Sequence, residues 1–185
     1  NRVQGYVHYR LDTWDEFNQK LIENKRFGKN LIRHFDYVTL FKNILRDDMS
    51  DTGKMEVLYN HVQKSYQWNG KYYIYADRDL NKIPENGKAY SGEINMILIN
   101  LLRKAGLNAD PVLIRTSNLS QPEIAFPVHN QFNHVIAMVD LDGEIYLLDA
   151  ISDNSAYHEL PVNDLYTVGW RVSKDDFGWI DINPR

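Results

Sequence analysis

The sequence predicts an α+β domain, with helices gathered in the first half of the chain and an antiparallel sheet in the second. Three observations carry that prediction. Apolar side chains recur at helical spacing through residues 1–62. The stretch SGEINMILINLLRKAGL (91–107) is apolar on nearly every face, the mark of a buried helix. The stretch FNHVIAMVDLDGEIYLLDA (132–150) is a pair of β-rich runs flanking Asp142-Gly143, the residue pair favoured in a two-residue type I′ turn. Helices followed by a hairpin differ from the strand–helix alternation of a parallel α/β fold.

The elements follow in order. Thr13 is placed to cap a short helix carrying Trp14, Phe17 and Leu21. A second apolar stripe runs through Leu31, Phe35, Val38, Phe41 and Leu45. DDMSD (47–51) breaks it, and Ser50 or Asp51 caps a helix whose face holds Met55, Leu58, Tyr59 and Val62. KYYIYA (71–76) has the composition of a strand, and PENG (84–87) that of a turn. In the helix from Ser91, Ser91 itself is a candidate N-cap, Arg103 and Lys104 complement the last turn, and Gly106 is the natural stop. PVLIRT (111–116) is expected as a strand, followed by a polar loop to about Gln131, the hairpin, and a strand or two closing the sheet near the C-terminus. The expected organisation is one domain over 1–185: a helical segment 1–48, a core 49–160 and C-terminal strands 161–185.

Composition narrows the function classes. Hydrophobic residues are 43% and charged residues 25%, a globular balance. A net charge of -4 argues against a nucleic-acid partner, which calls for a basic surface. The chain has no cysteine, which excludes disulfides, thiolate metal sites and thiol catalysis within it. The longest apolar run, INMILINLL (94–102), is too short to span a membrane, and no apolar leader suggestive of a signal peptide opens the sequence. Neither a cofactor nor a metal is expected. DRDLNKIPE (77–85) mimics a calcium loop, but Lys82 and Lys88 stand at the glycine and closing glutamate positions. His129 and His134 lack a third zinc ligand. Asn118-Leu119-Ser120 is a glycosylation sequon of a kind frequent by chance.

The hairpin register brings two chemical groups together. A two-residue turn pairs Leu141 with Glu144, so Ile136 faces Asp149, and His134, two residues along on the same face, is its diagonal neighbour. A four-residue loop would put His134 and Asp149 directly opposite, and a three-residue loop would part them. A carboxylate beside a histidine fixes its tautomer and stabilises its charged form. Ser91, at the start of the buried helix, would add a hydroxyl where N–H groups favour a developing anion. Each residue has a plainer reading as well: Ser91 as a helix cap, His134 as a strand residue, Asp149 as the cap of a turn. Glu93 stands one residue too early for a capping box built on Ser91. The aromatics Tyr66, Trp68, Tyr72, Tyr73 and Tyr75 suit core or strand packing, with one or two lining a cleft.

Taken together, SGEINMILINLLRKAGLNADPVLI and HVIAMVDLDGEIYLLDA resemble the nucleophile helix and the histidine and aspartate strands of bacterial transglutaminase-like domains. The resemblance covers residues 50–160 and implies a papain-like fold, with Ser91, His134 and Asp149 at the catalytic positions. It implies, further, that the domain sits between others in a longer, exported protein, and that the cleft receives a peptide or protein segment. The departure is at the nucleophile. A cysteine titrates near pH ~8.5 and is readily lowered to a thiolate. A serine hydroxyl needs a base aligned to take its proton. The expected function is a non-catalytic peptide- or protein-binding or structural module that keeps relict triad positions. The alternatives are a Ser-His-Asp hydrolase or acyl-transferase acting on amides or esters, and an enzyme whose native cysteine was replaced by Ser91.

Overall fold

The computed structural model describes residues 12–33, 36–116, 119–128, 130–151, 156–157, 159–165 and 167–183. His129, Asn118 and Phe35, which entered the sequence reading, lie outside the described residues.

The first helix, α1 (Trp14–Glu23), begins as the sequence predicts. The Thr13 hydroxyl accepts from Glu16 N–H at 3.2 Å, and the Glu16 carboxylate accepts from Thr13 N–H at 2.9 Å. The stripe after it is two short helices, α2 (Gly28–Ile32) and α3 (Val38–Ile44), because the backbone turns extended at Arg33. Ser50 caps α4 (Asp51–Ser65), whose buried face is Met55, Leu58, Tyr59 and Val62.

A small parallel pair follows. Strand β1 (Tyr66–Trp68) leaves α4 directly and pairs with β2 (Gly87–Ala89), which leads into α5 (Ser91–Lys104). Parallel neighbours need a crossover. Here it is the stretch between them, with a 3-10 turn at Leu80–Lys82 and a turn at Asn86, whose φ is +61°. The strand expected at 71–76 is absent. That stretch crosses the start of α5: the Lys71 and Tyr73 carbonyls accept from Ser91 N–H and Gly92 N–H, and Ala76 N–H donates to the Arg26 carbonyl beyond α1.

Every residue of α5 from Ser91 to Leu102 is buried, including Leu98 and Leu101. The helix packs on a five-stranded antiparallel sheet ordered β5-β4-β3-β6-β7, with β3 (Asn108–Ile114), β4 (His134–Leu141), β5 (Glu144–Leu148), β6 (Thr167–Arg171) and β7 (Gly178–Ile182). The β4–β5 register is the one read from the sequence: Leu141 opposite Glu144, with Asp142 at φ +54° and Gly143 at +89°. Val135, Ala137 and Val139 of β4 join the core under α5 and α4, while Ile136 and Met138 pack with Val112, Ile114 and Ile182 in a second, smaller cluster. The chain is thus α+β, with a helical layer on one side of an antiparallel sheet.

Two contacts tie the ends of the chain to this frame. Trp14 of α1 packs on Phe132, Trp170 and Trp179, and its indole N–H donates to the Ile124 carbonyl at 2.7 Å. Asp110 of β3 holds Arg103 of α5 at 2.9 Å and Arg171 of β6 at 2.8 Å. No helix among the described residues is long and apolar enough to cross a membrane.

Candidate active site

His134 opens β4, and Asp149 follows the end of β5. The diagonal register brings His134 Nε2 to 3.1 Å from Asp149 Oδ2, with both side chains buried. An ionised carboxylate only accepts, so His134 Nε2 is the donor in this bond. Nδ1 is buried and has no hydrogen-bond partner among the described residues.

The rest of Asp149 is wired into the helical layer. Asn95, one turn beyond Ser91 on α5, donates to Asp149 Oδ1 at 2.6 Å and to the Val135 carbonyl at 2.8 Å. Its own oxygen accepts from Ala150 N–H at 2.9 Å. The Tyr59 hydroxyl of α4 donates to the Asp149 carbonyl at 3.0 Å. Burial pushes the Asp149 carboxyl up, but the charge of His134 and the hydrogen bonds from His134, Asp164 and Asn95 outweigh it and hold the group below the usual carboxylate range.

A second acid, Asp164, sits in the 3-10 turn Val162–Asp164 with Oδ2 at 3.9 Å from His134 Nε2. It is fully buried. As a carboxylate it would find no donor for either oxygen among the described residues. Burial first, then the charge of Asp149, pushes its carboxyl up to about 10. His134, Asp149 and Asp164 offer three ligand atoms within 4.8 Å of one another, a donor set that can hold a divalent ion. The sequence reading missed Asp164 and Asn95, and placed Trp68 only within an aromatic cluster of which one or two members line a cleft. Only Asn95 left a signal, four residues after Ser91 and therefore on the same face of the helix.

Ser91 is placed differently from the expectation. Tyr90, not Ser91, is the N-cap residue, and Ser91 is the first residue of α5. That shift makes Glu93 the third helical residue, and its carboxylate accepts from Tyr90 N–H at 3.0 Å and from Asp77 N–H at 3.1 Å. The Ser91 hydroxyl oxygen, fully buried, accepts from Tyr73 N–H at 3.1 Å. No hydrogen bond joins it to His134, whose ring is packed edge-on by Tyr72 at 5.0 Å. Burial raises the Tyr72 phenol, with Asp164 and Asp149 adding to the effect. The structure therefore joins His134 to Asp149 and leaves Ser91 bonded elsewhere. Such a site can hold an imidazole in one tautomer, but its hydroxyl is not on the base.

No family model matches the chain, and no curated protein matches it. Among solved structures, a protein described as a "putative protease" from Parabacteroides distasonis matches with a TM-score of 0.59 at 16% identity over 85% of this chain. The chain spans 30% of that protein's length. At that identity the likeness is one of fold alone.

Proposed function

We propose that this chain is a transglutaminase-like domain without its thiol nucleophile, serving as a non-catalytic peptide- or protein-binding or structural module. The observation that carries the reading is the Ser91 hydroxyl oxygen, which accepts from Tyr73 N–H at 3.1 Å while His134 Nδ1 goes unpartnered. A hydroxyl attacks only when a base takes its proton, and here oxygen and base are not coupled. Burial of Ser91 and His134 adds a second obstacle, since a substrate cannot reach either in this arrangement. The fold likeness to the described protease fits a papain-like ancestry without specifying an activity.

The hydrolase reading keeps one observation in its favour: His134 and Asp149 are already set as a base and its orienting carboxylate, at 3.1 Å. A serine-directed covalent probe, with turnover of amide and ester substrates, separates the two. The non-catalytic reading expects no labelling at Ser91 and no turnover above a Ser91→Ala control. Labelling of Ser91, with turnover lost in both Ser91→Ala and His134→Ala, would establish the hydrolase instead.

A further inference from the structure

A histidine that serves only as a base needs one carboxylate, and His134 faces two. Three separate pieces of chain bring the groups together: His134 opens β4, Asp149 follows β5, and Asp164 ends the turn Val162–Asp164. None of the three side chains has exposed surface. Among the described residues, the ion pairs of both acids go to His134 alone. Neither Asp164 oxygen has a hydrogen-bond donor among those residues, although Oδ2 points at the imidazole. Two carboxyl groups gathered in a dry interior around one imidazole are short of positive charge.

The spacing suits a small four-coordinate ion. Ligand atoms about 2.0–2.1 Å from a tetrahedral Zn²⁺ stand about 3.3 Å from one another. His134 Nε2 lies 3.1 Å from Asp149 Oδ2 and 3.9 Å from Asp164 Oδ2, on either side of that value. Ca²⁺ and Mg²⁺ ask for six or more ligands, mostly oxygen, and suit a dry three-ligand site poorly. An imidazole with two carboxylates is a donor set that Zn²⁺ accepts. The outer bonds are those of a held ligand: Asp149 Oδ1 accepts from Asn95 at 2.6 Å and from Ile151 N–H at 3.3 Å, which leaves Oδ2 to face inward. An entry path exists as well, because Val162 and Asn163 of the turn are exposed and only Asp164 points in.

We propose that His134 Nε2, Asp149 Oδ2 and Asp164 Oδ2 bind one Zn²⁺, which pins the Val162–Asp164 turn to the sheet. The metal takes the Nε2 lone pair, so the ring keeps its proton on Nδ1. Asp164 binds as a carboxylate and gives up its proton to solvent, and the two carboxylates then balance the charge of the ion. Three protein ligands and one water complete the shell. This goes beyond the proposed function: the metal is a structural tie, and the chain without it is the one whose side-chain contacts are described above.

The chain stripped with EDTA, dialysed and titrated with zinc chloride in a calorimeter should bind one ion with a dissociation constant below about 10 μM. With free zinc at about 100 times that constant, the unfolding midpoint should rise by about 5 °C. Magnesium and calcium chloride should move it by less than about 1 °C. Asp164→Asn keeps the shape and removes the anionic ligand, and should weaken zinc binding by about 100-fold or more. Zinc also binds exposed histidines, and this variant separates the two, since surface binding survives it. Cobalt chloride reads the unmodified chain and serves if the variant does not fold: a four-coordinate site gives visible bands far stronger than those of aqueous Co²⁺, and the absence of cysteine keeps thiolate bands out of the spectrum. The inference is overturned if zinc binds more weakly than about 10 μM, if Asp164→Asn binds it as tightly as the unmodified chain, or if the cobalt spectrum stays that of the aqueous ion. Turnover by the EDTA-treated chain would unseat the non-catalytic reading and leave these results unaffected.

Discussion

The two halves of the site are held by different kinds of bond. Around His134 and Asp149 the contacts are between side chains and carry structural duty. Asn95 alone joins α5 to β4 and to the stretch after β5, and Tyr59 ties the same stretch to α4. Around Ser91 the contacts are main-chain bonds to a segment that has no partner strand. The difference teaches why one half of a triad-like site can persist without chemistry to preserve it. Removing any member of the first half strands buried polar groups, which is costly whether or not a reaction occurs. Ser91 contributes one hydrogen bond and a small volume, and the fold loses little by changing it.

The comparison breaks first at Asn95. Asn95→Ala would leave Asp149 Oδ1, the Val135 carbonyl and Ala150 N–H with lost partners in a dry interior, at a cost of about 4 kcal/mol. Urea unfolding is the measurement, and a loss under about 1 kcal/mol would mean that these bonds are not the frame they are taken for. Leu101→Ala tests the apolar support of the same helix. Leu101 is 1% exposed, so the change should cost about 3 kcal/mol through lost transfer energy and the cavity left behind.

How much of this was legible beforehand follows the range of the forces involved. The His134–Asp149 contact was legible because an Asp-Gly turn sets a register and the register does the rest, all within 16 residues. The strand expected at 71–76 was wrong because tyrosines and isoleucine favour strands on average, while the Lys71 and Tyr73 carbonyls bond to helix N–H groups some 20 residues later in the chain. The same fact explains the misplaced cap: α5 is capped by this segment and by Glu93, so a tyrosine can occupy the N-cap position. Asp164 was invisible. It follows Pro161 in a stretch that looks like an ordinary polar turn, and nothing local says that it folds back onto Asp149.

Asp164 sharpens the comparison through pH. Its folded carboxyl is pushed up to about 10 by burial and by Asp149, far above its value in an unfolded chain. A raised group contributes stability fully below its unfolded pKa, and that contribution is lost as pH rises toward the folded value. Between about pH 4 and pH 10 the folded chain binds the extra proton, so stability falls with pH across this window. Asp164→Asn supplies the same shape with no proton to retain. It should stabilise the chain by about 2 kcal/mol near neutral pH, with a gain that grows as pH rises and vanishes near pH ~4. Unfolding curves of both chains at several pH values check the slope; a gain independent of pH would mean that Asp164 is ionised in the folded chain.

The smallest effect is expected at the residue where catalysis would have to act. Ser91→Ala removes the acceptor for Tyr73 N–H and nothing else that the fold relies on, because the other bonds at this point are made by the main chains of Ser91 and Gly92. The stranded N–H sets the scale at about 1 kcal/mol, reduced if the segment shifts to reach water. The sign of a second readout then matters more than the size of the first. If Ser91 mainly seats residues 71–73, Ser91→Ala should increase hydrogen exchange at the Tyr73 amide and its neighbours while exchange at Val135 and Ala150, on the Asn95 side, stays unchanged. If the two halves are instead one coupled unit poised for catalysis, loosening the first should propagate to the second. Equal increases on both sides would then show that the division drawn between them does not exist.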